Sequence, residues 1–217
     1  MLTLNKASNT FTSSLFSQNA VHGFGTRMSG NGRDTKNIQK YLDSQKVNYK
    51  RIVDPDQQHT DRIIVNSTSD LEENCDGLIT QDKGVVLTVI TADCAPIIYS
   101  DVNKNVVGIS HNGRKGTELK LASKMIKRLQ ATGSKLQDLR VAIGPAIGSC
   151  CYPMNLVKEN VEQVIESGLK KNQIDFFPFC TKCDSKRFYS YRNYKEVPFD
   201  LPQGKPNFPE QFSFVVQ

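Results

Sequence analysis

The chain has 217 residues, 38% hydrophobic and 23% charged, which fits one fairly large globular domain or two small ones and excludes a disordered or fibrous chain. The net charge of +6 is spread thinly, in modest clusters such as Lys124, Lys127 and Arg128, with no nucleic-acid signature. A solvated basic surface is therefore expected, not a nucleic-acid partner. No segment approaches the roughly 18–20 apolar residues of a membrane span, so no membrane partner is expected either.

In chain order, residues 1–20 are polar and rich in Ser and Thr and lack the apolar centre of a secretory signal. They predict a loosely ordered start with at most one edge strand, in a cytoplasmic protein. The loop Thr26–Thr35 leads to a helix capped by Asp34 or Thr35, with Ile38, Tyr41 and Leu42 on one face. Short Val- and Ile-rich runs predict strands at Arg62–Asn66, Val85–Ile90, Pro96–Ser100, Asn105–Ser110 and Leu139–Ile143. Asp101–Asn105 reads as a hairpin turn. The spacing of Leu119, Ala122, Met125, Ile126 and Leu129 predicts an amphipathic helix over Thr117–Thr132, and a second one covers Leu156–Leu169. From Pro198 onward the chain is Pro-rich and predicted to be irregular. The scheme is a main domain over 21–192 and an irregular tail over 193–217 packed on or near it. Paired strands mixed with helices give an α+β class with part of the sheet antiparallel.

Six cysteines in a chain of this length, two of them adjacent and with no signal peptide, predict reduced thiols rather than a disulfide scaffold. The histidines are His22, His59 and His111. Cys94 follows the strand VVLTVI, and His111 ends the run NVVGIS. A hairpin between their strands returns the imidazole to the thiol's end of the sheet, roughly opposite it. Two chemistries can use such a pair. Cys94 can be a nucleophile with His111 as its base and Asp93 or another acid orienting the ring. Alternatively, Cys94, His111 and His59 can be three ligands of a metal that keeps a fourth position open. A further reading has Cys94 as a small buried apolar residue and the histidines as ordinary loop residues.

Five ordered elements carry a resemblance. Gln57-Gln58-His59, Ala92-Asp93-Cys94-Ala95-Pro96, His111-Asn112-Gly113-Arg114-Lys115-Gly116, the run Ile143 to Tyr152, and Cys180-Thr181 to Arg192 resemble the motifs of the YfiH-like family, also called laccase-domain proteins or polyphenol oxidases. His22–Gly30 and Cys75–Thr80 add to the match.

The resemblance implies a single domain with mixed and antiparallel sheets in an α/β/β/α layering. It also implies zinc held by His59, Cys94 and His111, with Cys94 and His111 in the catalytic centre. Purine nucleosides and phosphate are the implied substrates, through phosphorolysis of adenosine, inosine or methylthioadenosine and through adenosine deamination. Copper is disfavoured, because multicopper centres need more imidazoles than three histidines supply.

Arg27 is the expected phosphate ligand, since a guanidinium offers a planar fork to the anion. Asp93 and Gly144 are expected beside the substrate, Gly144 by letting the backbone approach it closely. This chain departs from the family pattern where Arg114 replaces a tryptophan, Thr60 a glycine, and Pro153-Met154 the usual residues after Tyr152. Those departures leave open a member with reduced or lost catalysis, as they leave open a metal-free Cys–His hydrolase. Cys180 and Cys183 can be half of a second zinc site or a redox pair, but no second CxxC accompanies them, and a structural or incidental role is expected.

Overall fold

The runs VVLTVIT and APIIYSD are apolar on both faces, as strands covered on both sides must be. The computed structural model describes residues 1–16, 20–196 and 208–217. Its elements begin with β1 (Thr3–Asn5), β2 (Thr10–Thr12), β3 (Val21–Gly25), α1 (Thr35–Ser44), β4 (Arg51–Pro55), β5 (Ile63–Val65) and β6 (Leu71–Glu72). β7 (Gly77–Thr80), β8 (Val85–Thr91), β9 (Ala95–Asp101), β10 (Val107–Asn112), α2 (Arg114–Glu118) and α3 (Leu121–Ala131) follow. The chain closes with β11 (Leu139–Ile143), α4 (Leu156–Glu166), β12 (Ile174–Phe176), α5 (Tyr191–Glu196) and β13 (Gln211–Val216).

The two doubly covered strands belong to different sheets. One sheet has the order β1-β2-β3-β13-β8-β4-β6, the other β12-β11-β9-β10-β7-β5. Each mixes parallel with antiparallel pairs. Between the sheets lies a core that includes Phe24, Leu87, Val89, Ile98, Ile109 and Val215. On the outer face of the first sheet, Ile38, Tyr41 and Leu42 of α1 pack on Val86, Phe212 and Phe214. On the outer face of the second, Met125, Ile126 and Leu129 of α3 and Val164 of α4 pack on Ile97, Tyr99 and Val141. This is the expected α/β/β/α layering.

Three expectations are corrected. The C-terminal segment is not irregular throughout, because Gln211–Val216 is a fully buried strand paired with both β3 and β8. Its Phe212, Phe214 and Val216 face α1 while Val215 faces the inter-sheet core, a period-2 pattern hidden behind the prolines. Residues 197–207 of that tail lie outside the described residues. The start is more ordered than expected: β1 and β2 form a hairpin, and β2 pairs with β3. The helix expected over Thr117–Thr132 is two helices, split where Lys120 takes a left-handed conformation (φ 58°). Leu119, at the break, is turned outward and exposed. No helix among the described residues is long and apolar enough to cross a membrane.

Candidate metal centre

The chain passes from one sheet to the other between β8 and β9, and the link Ala92-Asp93-Cys94 is that passage. Leaving a covered strand so sharply requires unusual backbone, and Asp93 has φ 92°. The link is held by Asp93 itself. Its carboxylate accepts from Thr181 Oγ1 (2.7 Å), Ser190 Oγ (3.0 Å) and the Arg192 N–H (2.9 Å), and its carbonyl accepts from the Ile147 N–H (2.9 Å). With those partners, Asp93 anchors loops on the cavity wall and positions Cys94.

The β9–β10 hairpin pairs His111 with Pro96 and Asn112 with Ala95. One step further, the register sets Gly113 opposite Cys94, so His111 lies diagonal to the thiol on the same face. Gly113 is needed there, because a Cβ at this position would lie 2.9 Å from Cys94 Sγ and 2.7 Å from His59 Cδ2. His59 arrives on the loop after β4. Gln57 ties that loop to the end of β8 through paired bonds to the Ile90 N–H and carbonyl, both 2.8 Å. His59 Nε2 lies 3.7 Å from Cys94 Sγ, and its ring meets that of His111 edge-on with centroids 4.7 Å apart. One ligand atom each from His59, Cys94 and His111 lies within 4.8 Å of the others.

Asp76 underlies the site. Fully buried, it accepts from His111 Nδ1 at 2.7 Å, from the N–H groups of Gln58 (3.2 Å), His59 (3.1 Å) and Thr60 (2.6 Å), and from Thr60 Oγ1 (3.0 Å). Its carbonyl also accepts from the His111 N–H. Burial pushes the Asp76 carboxyl up, but the His111 imidazole and these donors outweigh it and hold the acid below its ordinary range. The bond to Nδ1 turns His111 Nε2 towards Cys94, the carboxylate–histidine arrangement found behind metal ligands.

In the protein without an ion, burial works to raise the Cys94 thiol. The charge of His111 and hydrogen bonds from both histidines overcome it and bring the thiol down to about 7. Burial likewise opposes charge on His111, but the Cys94 thiolate and Asp76 raise it to about 10. Each group therefore favours the charged form of the other. Metal dimensions match as well: a sulfur at ~2.3 Å and a nitrogen at ~2.0 Å from one tetrahedral ion stand ~3.5 Å apart. The observed His59–Cys94 separation of 3.7 Å fits that edge.

These ligands open onto a cavity of about 1070 Å³ that is also lined by Arg33, Gln57, Arg114, Lys115, Tyr152, Arg192 and Glu210. Arg33 pairs with Glu210 at 2.8 Å and lies over the Phe208 ring. The Arg192 guanidinium stands over the Tyr152 ring, 5.1 Å from its centroid. Burial pushes the Glu210 carboxyl up despite Arg33.

Two expected substrate contacts lie elsewhere. Arg27 is not among the residues lining the cavity; it bonds the Ser185 carbonyl at 2.7 Å and lies over Tyr189. Gly144 donates to the Pro96 carbonyl, and a Cβ on it would come 2.3 Å from Phe24 Cδ1. Its smallness serves packing between the sheets, not close approach to a ligand. The sequence motifs include Gln57, Gly113 and Asp76 but gave none of them a role, and Glu210 was missed altogether. Of these Asp76 left a signal, a lone acid heading the apolar strand Gly77–Thr80.

Residues 30–156 and 153–198 match the family model described as multi-copper polyphenol oxidoreductase laccase. The mouse protein named purine nucleoside phosphorylase LACC1 is 30% identical over 165 residues, covering 66% of this chain and 38% of that protein. Purine nucleoside phosphorylase YlmD of Bacillus subtilis is 29% identical over 147 residues, 54% of this chain and 53% of the relative. A purine nucleoside phosphorylase of Aquifex aeolicus is 30% identical over 193 residues, 76% of this chain and 90% of its own length. The match thus spans about half or less of the first two relatives. The crystal structure of the Bacillus licheniformis hypothetical protein YfiH superposes with a TM-score of 0.84 at 25% identity, covering 99% of this chain and 98% of that one.

Proposed function

Because the chain belongs to the YfiH-like family, whose model is that of the multi-copper polyphenol oxidoreductase laccases, we propose that it is a zinc-dependent purine nucleoside phosphorylase with adenosine deaminase activity. The observation that carries this reading is the convergence of His59, Cys94 and His111 on one point at the floor of a large cavity. Relatives named purine nucleoside phosphorylase, and one named adenosine deaminase RL5, support the substrate class.

His59 Nε2, Cys94 Sγ and His111 Nε2 would hold the ion. Bound there, zinc supplies Lewis acidity, polarising an oxygen or a water, as attack at the adenine C6 position requires. Asp76 keeps His111 in the ligating tautomer. Lys115 and Arg192 are the cavity's cations for phosphate, since Arg33 is engaged by Glu210 and Arg114 by Glu118, each at 2.8 Å. In phosphorolysis the bond from C1′ to the purine breaks, a phosphate oxygen bonds C1′, and the departing base takes a proton. Glu210 is a carboxyl on the cavity wall, its charge opposed by burial and favoured by Arg33, and is the group assigned to exchange that proton with the base.

The test is incubation of the zinc-loaded protein with adenosine and inosine, with and without phosphate. Base and ribose 1-phosphate should form only with phosphate, and ammonia should form from adenosine. Zinc-loaded protein that releases neither base nor ammonia would defeat the proposal. One observation favours a second reading: Cys94, His111 and Asp76 also line up as a thiol, a base and its orienting acid. A metal-free protein that is inactivated by alkylation of Cys94, and hydrolyses an acyl substrate, would favour that reading.

A further inference from the structure

Five cysteines lie outside this chemistry, and the fold gathers four of them, leaving buried Cys75 apart. Gly148 begins a turn closed by the Cys151 N–H on the Gly148 carbonyl at 3.0 Å, which presents the adjacent Cys150 and Cys151. A short parallel bridge, Ala146 with Cys180, brings in the second segment, and the Thr181 N–H bonds the Ala146 carbonyl at 3.1 Å. The Asp184 N–H then closes a turn on the Cys180 carbonyl, which returns Cys183 to the group. Cys150 and Cys151 each lie 3.5 Å from Cys183, sulfur to sulfur, and all four sulfurs lie within 4.8 Å of one another.

These distances suit one shared ion. Four sulfurs at ~2.3 Å from a tetrahedral zinc stand ~3.8 Å from each other. A disulfide needs its sulfurs at ~2.05 Å and selects one pair, whereas here Cys183 is equidistant from two neighbours and all four thiols are free. Gly148 admits the close approach, for a Cβ there would lie 3.1 Å from Cys180 Cβ and 3.4 Å from Cys150 Sγ.

We propose that Cys150, Cys151, Cys180 and Cys183 form a second metal site, a closed tetrathiolate that takes zinc and serves structure. Four protein ligands leave no position for a reactant, which is the mark of a structural zinc. Its place in the fold gives it a task. The two segments it joins are the ones that hold Asp93, through Ile147 and Thr181. The first of them also supplies Ile147 and Tyr152 to the cavity wall. An ion there would staple the wall against which Cys94 is positioned.

The test uses the full chain, purified without chelator and analysed for metal. Wild type should carry about two zinc ions per chain, Cys183→Ser and Cys180→Ser about one, and Cys94→Ala about one. Reloading with cobalt(II) should give intense thiolate-to-metal absorption that survives Cys94→Ala and collapses in Cys183→Ser. Because the two sets of variants address different ligands, failure of this site and failure of the His59–Cys94–His111 site are read separately. Should the serine variants not fold, alkylation of native wild type decides. Exposed Cys150 and Cys183 should resist the reagent until a strong chelator is added. Unchanged metal content in both serine variants, immediate alkylation of the native protein, or a disulfide among the four would overturn the proposal.

Discussion

Asp76 Oδ1 accepts a hydrogen bond from His111 Nδ1 at 2.7 Å, at a depth where the acid has no exposed surface and the histidine almost none. A buried carboxylate with this many donors sets both the ring orientation of His111 and the path of the loop that carries His59. The centre's geometry therefore depends on a residue that ligates nothing.

Asp76→Asn should weaken zinc binding about ten- to a hundredfold while leaving the three ligand side chains in place. Competition with a chromophoric chelator measures it. Unchanged affinity would mean that His111 needs no help to present its Nε2.

Gly113→Ala tests the hairpin register. The added methyl would be crowded between the Cys94 sulfur and the His59 ring, so the protein should fold but bind zinc at least about tenfold more weakly, a loss of ~1.4 kcal/mol. Elemental analysis beside a thermal melt separates loss of the site from loss of the fold.

The metal-stripped protein should show an unusually reactive Cys94. The thiol is lowered from 9.0 to about 7, so the thiolate dominates above that value and is protonated as pH falls through it. Alkylation of the Cys94 peptide, followed by mass spectrometry, should rise with pH and reach half its plateau near pH 7. Cys75, whose thiol burial pushes up to about 12, should stay unmodified throughout.

Asn160 gives a stability test of the packing behind the hairpin that carries His111. Fully buried on α4, it accepts from Asn112 Nδ2 (2.9 Å) and donates to Thr117 Oγ1 (2.9 Å) and the Leu156 carbonyl (2.8 Å). Asn160→Ala strands those partners and should cost about 2–3 kcal/mol. For a chain of this size that lowers Tm by roughly 4–12 °C.

Much of the local structure was legible in the residues. Leu139–Ile143 is a strand with the expected ends, and Asp34 caps α1, accepting from the Lys36 N–H at 3.0 Å. The hairpin that joins Cys94 to His111 follows from two apolar runs of matched length around a turn, so their nearness was a question of register alone. The buried strand Gln211–Val216 escaped because its alternation is short and follows a Pro-rich stretch.

By itself, the sequence determined which residue types stood ready to ligate and which pair a local hairpin would bring close. Only the tertiary structure decided the rest. His59 reaches the pair across two sheets, Asp76 is placed under His111 because β7 lies beside β10, and Cys150, Cys151, Cys180 and Cys183 meet because a bridge joins Ala146 to Cys180. Short-range patterns record how one segment buries its own faces. Contacts between segments far apart in the chain are set by how those faces pack together, and that leaves little trace in local spacing.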